Sequence, residues 1–288
     1  MGLLIKDMIN VAENILRDSG DQDYKTDAKI LLCDALKYDE KKLFMSWAHE
    51  TADYQSEAFF ELIERRSKGE PTQYIIGKTW FMGVEISVDP RVLIPRSDTE
   101  VLVEQILSWL DKNNKARRAL DLCTGSGAIA LAIAKRKPGL KITASDISDD
   151  AIAVASENAK RHRVRNVGFI QSDMFEALRK GALGQKFDFI VSNPPYIKSD
   201  ELPKLQREIC EHEPMIALDG GADGLDFYRQ IIDSAPDYLK RNGALFLEIG
   251  ANQAGEVCEL IKDKGGYTAP EVKQDIAGLD RMVFTTSQ

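Results

Sequence analysis

The stretch Ala119-Leu120-Asp121-Leu122-Cys123-Thr124-Gly125-Ser126-Gly127, followed at once by the apolar run 128–134, decides the fold. Residues suited to a short buried strand run into a loop with two glycines, and the loop gives way to a helix. The glycines let the backbone approach a ligand closely where the free N–H groups of the helix begin. A glycine pair at a strand-to-helix turn is a weak signal by itself, because a plain turn uses the same residues. Its weight comes from its surroundings. Short apolar strands recur at 119–122, 142–145, 168–171, 187–191, 244–248 and 282–285, with helical stretches between them. That alternation predicts an α/β domain of Rossmann-like type, a mostly parallel sheet with crossover helices. The last strand follows only a short irregular stretch from Pro270, so it is expected to enter the sheet antiparallel.

Upstream the pattern differs. Leu4, Met8, Val11, Ala12, Ile15 and Leu16 recur at helical spacing until Gly20, and helical character continues through 26–37 and up to Lys68-Gly69. From Trp80 to Val88 the period drops to two, with Met82-Gly83 at the turn, as in a hairpin. Ser97-Asp98-Thr99-Glu100 has the spacing of a capping box that opens a helix reaching Leu110. The expected organisation is therefore a small helical domain over 1–73, a β-hairpin linker over 74–96 and the α/β domain over 97–288.

Composition narrows the function classes. In 288 residues, 43% are hydrophobic and 29% charged, which fits a folded globular chain. The most apolar run, 128–134, is far short of the roughly 20 residues that span a bilayer. The first residues, MGLLIKDMIN, lack the charged leader and apolar block of a secretion signal, so a cytoplasmic protein with no membrane partner is expected. Cys33, Cys123, Cys210 and Cys258 lie too far apart to pair as zinc or redox motifs, and no metal site is expected. The net charge of -8 opposes general attraction to nucleic acid, and the basic run 160–165 reads as a solvated helix end.

Chemically pointed residues cluster at strand ends, where open parallel sheets bind ligands. Asp146 ends the second strand, about twenty residues beyond the glycine loop, the spacing at which a carboxylate accepts from ribose hydroxyls. Asp173 and Met174 end the third, placed to meet an adenine amino group and ring. Each aspartate alone would also serve as a helix cap. The fourth strand ends in Asn193-Pro194-Pro195-Tyr196. Two prolines remove two backbone donors there, so the carbonyls of Asn193 and Pro194 are available to a substrate. The Asn193 side-chain oxygen and the Pro194 carbonyl can each accept one N–H of a planar –NH₂ group. They would orient that nitrogen and stabilise the positive charge that develops as it is alkylated. The Tyr196 ring can stack on the planar group and favour that charge.

These residues resemble the class I S-adenosylmethionine-dependent methyltransferases. Over the whole chain the sequence is similar to one of their families, PrmC/HemK, the release factor glutamine methyltransferases. The resemblance is carried in order by 69–71 through Ile76-Gly77, Phe81 and Gly83, Val92-Leu93-Ile94-Pro95-Arg96, 98–100, the glycine loop and 193–196. It continues through Glu213-Pro214, Ala217-Leu218, Gly220-Gly221, Asp223-Gly224-Leu225 and Glu248-Ile249-Gly250. It implies S-adenosylmethionine as cofactor, with S-adenosylhomocysteine as product. The cofactor contacts it implies are at Cys123, Thr124, Gly125, Ser126, Gly127, Asp146, Met174 and Asn193; the residue reading adds Asp173. It implies that Asn193, Pro194, Pro195 and Tyr196 grip the amide of the glutamine in the Gly-Gly-Gln loop of peptide-chain release factors. It also implies that the amino-terminal helices help engage that partner, whereas their amphipathic pattern alone speaks only for packing. Three positions depart from the family pattern: Ser97 stands where proline is usual, Cys123 where glycine is frequent, and Met174 in place of a larger aromatic.

Two other readings share these features. An adenine or cytosine amino methyltransferase would use the same tetrapeptide on a flipped base, but it would want a basic footprint and a base-reading segment, so no direct DNA partner is expected. A cofactor-binding regulator would need no nitrogen clamp. The three histidines, His49, His162 and His212, show no axial-ligand arrangement for haem. The chain is expected to act as a monomer, by direct displacement without a covalent enzyme intermediate.

Overall fold

The computed structural model describes residues 3–180 and 186–288. By internal contacts the chain divides into two compact units, 1–78 with 206–212, and 79–205 with 213–288.

The first unit opens with five helices, α1 (Ile5–Asp18), α2 (Tyr24–Leu36), α3 (Glu40–Met45), α4 (Asp53–Ser67) and α5 (Thr72–Ile76). Its core joins Met8, Ala12 and Leu16 of α1 to Leu31 and Leu32 of α2 and to Phe59 and Ile63 of α4. The buried stripe of α1 is Ile5, Met8, Ile9, Ala12 and Leu16. The sequence pattern placed Leu4, Val11 and Ile15 on that face. Leu4 instead precedes the helix, and Val11 and Ile15 are exposed. Both stripes share positions 8, 12 and 16 at helical spacing, and apolar residues flank that axis on either side, so periodicity alone does not choose between them. Arg66, near the end of α4, is buried with Asp27 at 2.5 Å and Asp21 at 3.1 Å.

The second unit begins with the hairpin β1 (Lys78–Phe81) and β2 (Val84–Ser87), whose first residue still belongs to the helical unit. Then follow α6 (Asp98–Lys112), β3 (Arg118–Leu122), α7 (Ala128–Arg136), β4 (Lys141–Asp146), α8 (Asp149–Arg161), β5 (Val167–Gln171), α9 (Glu176–Lys180) and β6 (Phe187–Ser192). Next in the chain is α10 (Arg207–His212), which belongs to the helical unit, where Glu208 accepts from the Arg66 guanidinium at 2.6 Å. The remaining elements are α11 (Asp226–Tyr238), β7 (Leu239–Glu248), α12 (Ala254–Lys264), β8 (Glu271–Gln274) and β9 (Asp280–Thr286).

The seven strands run in the order β5-β4-β3-β6-β7-β9-β8. The first five are parallel, and β9 pairs antiparallel with β7, as expected from the short connection before it. The stretch 271–274, expected to be irregular, forms the edge strand β8 against β9. Its residues are Glu271, Val272, Lys273 and Gln274, none of them buried, so it carries no alternating apolar signal. The central strand β3 is buried from Ala119 to Leu122, apolar except for Asp121, and α7 is buried from Ala128 to Ala134, which is why α7 reads as a continuous apolar run. The expected capping box at 97–100 does not form. Ser97 makes no side-chain cap, and the Glu100 carboxylate instead accepts from the Met82 N–H in the hairpin turn. Among the described residues no helix is long and apolar enough to cross a membrane.

Candidate active site

From β3 the chain moves outward to β4, and from β6 it moves the other way to β7. The loops after β3 and β6 therefore diverge and leave a crevice at the carboxyl ends of two adjacent strands. A cleft of about 1050 Å³, open mouth included, lies there. Its lining brings together Cys123, Thr124, Gly125, Ser126, Asp146, Asp173, Met174, Asn193 and Pro195. Gly127, Pro194 and Tyr196 are not among the lining residues.

Gly127 acts from beneath. It opens α7 with φ +81°, and a Cβ added there would lie 3.1 Å from the Ala155 Cβ on α8, so its bare backbone sets the packing of loop on helix. Above it the loop is tied by hydrogen bonds. Thr124 N–H donates to the Ser145 carbonyl at 3.0 Å, and the Thr124 hydroxyl donates to the Asp121 carboxylate at 2.7 Å. Asp121 is fully buried, and that burial pushes its carboxyl up to about 7, the Thr124 bond opposing. Gly125 N–H donates to Asp146 Oδ2 at 2.8 Å, and Ser148 N–H to Asp146 Oδ1 at 3.0 Å. Each of those oxygens keeps acceptor capacity for a second donor. Burial raises the Asp146 carboxyl, while these backbone bonds hold it down. Cys123 adopts φ 58° and Met174 φ 44°, so two non-glycine residues sit in left-handed backbone at the cleft. Such conformations are costly and gather at ligand sites. At Cys123 the cost accounts for the compatibility of that position with glycine. The thiol of Cys123 is driven well above the usual range, by burial first and then by Asp146. The turn carrying Met174 is built by Ser172, whose hydroxyl donates to the Met174 carbonyl at 2.9 Å and accepts from Ala177 N–H at 3.0 Å.

After β6, Asn193 is half-buried, and its Nδ2 donates to the Thr99 hydroxyl at 3.3 Å. Among the described residues no turn, loop or cap N–H reaches the carbonyls of Asn193 or Pro194. Pro194 and Pro195 are buried, and Tyr196 is half-buried with its ring edge facing Gly250. Burial, then the nearby Glu248 charge, pushes the Tyr196 hydroxyl up to about 12, so it stays neutral. The tetrapeptide is held from behind. Gln253 Nε2 donates to the Tyr196 carbonyl at 3.0 Å and to the Gly224 carbonyl at 3.2 Å. Ile197 and Asp219 form a parallel bridge, and a Cβ on Gly220 would lie 2.7 Å from the Tyr196 Cα.

Four side chains to which the sequence analysis assigns no role in the site organise it. Asn158 of α8 is fully buried; it exchanges two hydrogen bonds with the Ser87 backbone and donates to the Ser126 carbonyl at 3.0 Å. Glu213 accepts from the Ile94 N–H at 3.4 Å and from the Arg96 guanidinium, tying together two segments that line the cleft. Thr99 lines the cleft beside Asn193. Glu248 ends β7 almost fully buried; burial pushes its carboxyl up to about 7, with the Thr99 and Asn193 hydrogen bonds and the Arg281 charge opposing.

Two family models match the chain, the Methyltransferase small domain over 98–221 and the PrmC N-terminal domain over 7–77. A release factor glutamine methyltransferase from Clostridium acetobutylicum is 40% identical, the alignment covering 97% of both chains. One from Thermodesulfovibrio yellowstonii is 45% identical over 90% of this chain and 91% of the relative. Among solved structures, the catalytic domain of hMettl16 in complex with the MAT2A 3'UTR hairpin 6 has a TM-score of 0.54 at 16% identity, covering 82% of each chain, and shares the fold.

Proposed function

Because this chain belongs to the release factor glutamine methyltransferase family, we propose that it transfers a methyl group from S-adenosylmethionine to the side-chain amide nitrogen of the glutamine in the Gly-Gly-Gln loop of peptide-chain release factors. One observation carries the assignment of residues. The glycine loop, Asp146, Asp173, Met174 and Asn193 come from four separate strand ends and line one cleft.

The cleft fits the cofactor. Asp146 has free acceptor capacity for ribose hydroxyls while its present bonds fix its direction. Met174 offers an apolar surface for a purine, with Asp173 beside it to accept from an amino group. When bound, S-adenosylmethionine supplies an electrophilic methyl on a sulfonium. This chain's own residues deal with the acceptor. An amide nitrogen is a poor nucleophile because its lone pair is delocalised. Asn193 Oδ1 and the Pro194 carbonyl would each accept one N–H, aim the nitrogen and stabilise the charge it gains. Pro195 walls the cleft beside Asn193; Tyr196, neutral and held by Gln253 outside that lining, would offer its ring to the planar group of the bound substrate. The helical region 1–73 contributes to engaging the release factor, the hairpin region 74–96 links, and 97–288 carries catalysis. The enzyme acts as a monomer in the cytoplasm and does not take DNA, in keeping with its net charge of -8.

The test is incubation with labelled S-adenosylmethionine and a release factor, its Gly-Gly-Gln loop variant with glutamine changed to alanine, or duplex DNA. Label is expected on the unaltered factor alone. Label on DNA, or equal label on both protein substrates, would overturn the reading.

A further inference from the structure

We propose that Glu248, outside the cleft lining, is the positioning residue that fixes which way the Asn193 amide faces; this rests on the reading of Asn193 as the acceptor clamp. A clamp needs Asn193 Oδ1 toward the substrate. The flipped amide would present –NH₂ to the substrate's own –NH₂, and two donors would oppose each other. The Thr99 hydroxyl, 3.3 Å from Asn193 Nδ2, does not decide the matter, because a hydroxyl donates or accepts equally well. An ionised carboxylate only accepts. Thr99 and Asn193, themselves 3.3 Å apart, are the two polar side chains whose hydrogen-bonding groups favour the ionised Glu248 carboxylate. With the Thr99 proton spoken for, the Thr99 oxygen is left to accept from Nδ2. The amide then has one satisfied orientation, Nδ2 inward and Oδ1 toward the cleft.

The setting supports this role over a purely structural one. Glu248 is 2% exposed, and its Oε2 has no hydrogen-bond partner among the described residues, an expensive state for a side chain that only packs. Two charged side chains also act on it. Asp98 on α6 opposes its ionisation and Arg281 on β9 favours it. The Tyr196 and Tyr228 hydroxyls lie close, and Tyr228 donates to the backbone carbonyl of Glu248 itself at 2.9 Å. If Glu248 takes a proton, it becomes a donor to Thr99, Thr99 in turn donates to Asn193 Oδ1, and the amide is held in the wrong sense. The rate constant kcat/KM, which reports the free enzyme, should therefore rise with pH as Glu248 ionises near 7.

The experiment measures kcat, KM and cofactor Kd on a Gly-Gly-Gln release factor between pH 6 and 8.5, for the wild type, Glu248→Gln, Thr99→Val, Asn193→Ala and the Asn193→Ala/Glu248→Gln double variant. Thermal melts run alongside. Wild-type kcat/KM is expected to rise through about pH 7. Glu248→Gln, nearly isosteric, should lower kcat roughly tenfold and flatten that rise, with cofactor Kd within about twofold of wild type. Thr99→Val should lower kcat at unchanged cofactor affinity, which keeps the proposal testable should Glu248→Gln fold poorly. The double variant should be no slower than Asn193→Ala alone, because Glu248 acts only through that amide. An unchanged pH rise in Glu248→Gln, or losses that multiply in the double variant, would overturn the role of Glu248 and leave the clamp standing. Wild-type turnover in Asn193→Ala would instead remove the clamp, and this inference with it.

Discussion

Asn193 is the side chain on which the proposed chemistry turns, and its interaction with the acceptor nitrogen is strongest when that nitrogen becomes positive. Asn193→Ala should therefore lower kcat by about a hundredfold or more while shifting cofactor Kd by less than about threefold. Single-turnover kinetics beside calorimetric titration would separate the two, and equal losses in both would count against the clamp. Asp121 supports a second prediction. Its folded carboxyl sits near 7, above the ordinary 3.8, because it is buried. A native state that binds the extra proton gains relative stability below about 3.8 and loses it as pH rises to about 7. Asp121→Asn removes that titration, so the unfolding free energy of the variant should fall less between pH 4 and 7 than that of the wild type. Denaturant titrations across the range would show it. Residues such as Asn193, Asp146 and Asp173 were legible in the sequence because they interrupt apolar runs at strand ends. Asn158, Thr99 and Glu248 were not, since each acts through partners that only the fold brings near: Asn158 and Ser126 are 32 positions apart, Asn193 and Thr99 are 94.

At the scale of elements, the glycine loop depends on the helix beneath it. Asn158→Ala would strand the Ser87 N–H and the Ser126 carbonyl without their present partners. The expected cost is about 2–4 kcal/mol of stability and a weaker cofactor Kd, readable by denaturant unfolding and calorimetry. Gly127→Val should harm cofactor binding more than tenfold, since a β-branched residue at φ +81° meets Ala155 as well. The strand β6 was readable because a strand buried on both faces is a nearly continuous apolar run. The strand β8 was hidden because an exposed edge strand carries charge where a core strand carries valine. The capping box at 97–100 failed for a related reason: the Glu100 carboxylate had a better donor, the Met82 N–H, 18 residues upstream. Local spacing identifies the groups able to bond, and tertiary packing selects among them.

For the molecule as a whole, the helical unit concentrates charge around one guanidinium. Arg66 is bonded to Asp27, Asp21 and Glu208, and it is 4% exposed. Arg66→Met would leave carboxylates facing one another without their counter-charge, at a cost of about 3–5 kcal/mol. Burial already lifts the Asp21 carboxyl above its ordinary range, with Arg66 opposing. Far-ultraviolet melts of the variant should show an early transition confined to the helical unit. In the sequence the helical pattern gives way near residue 73, where the expected helical region ends. A segment joined to that region across more than a hundred intervening residues leaves no periodic trace.

The helix α10 is such a segment. The chain builds β3 through β6 before it supplies Glu208 to the unit it began with. During synthesis, Arg66 leaves the ribosome well before its third carboxylate exists, so the helical unit is completed only after most of the sheet has been translated. No single cut separates the two units: a fragment ending at Lys78 lacks α10, and one beginning at Thr79 carries that helix away from its own unit.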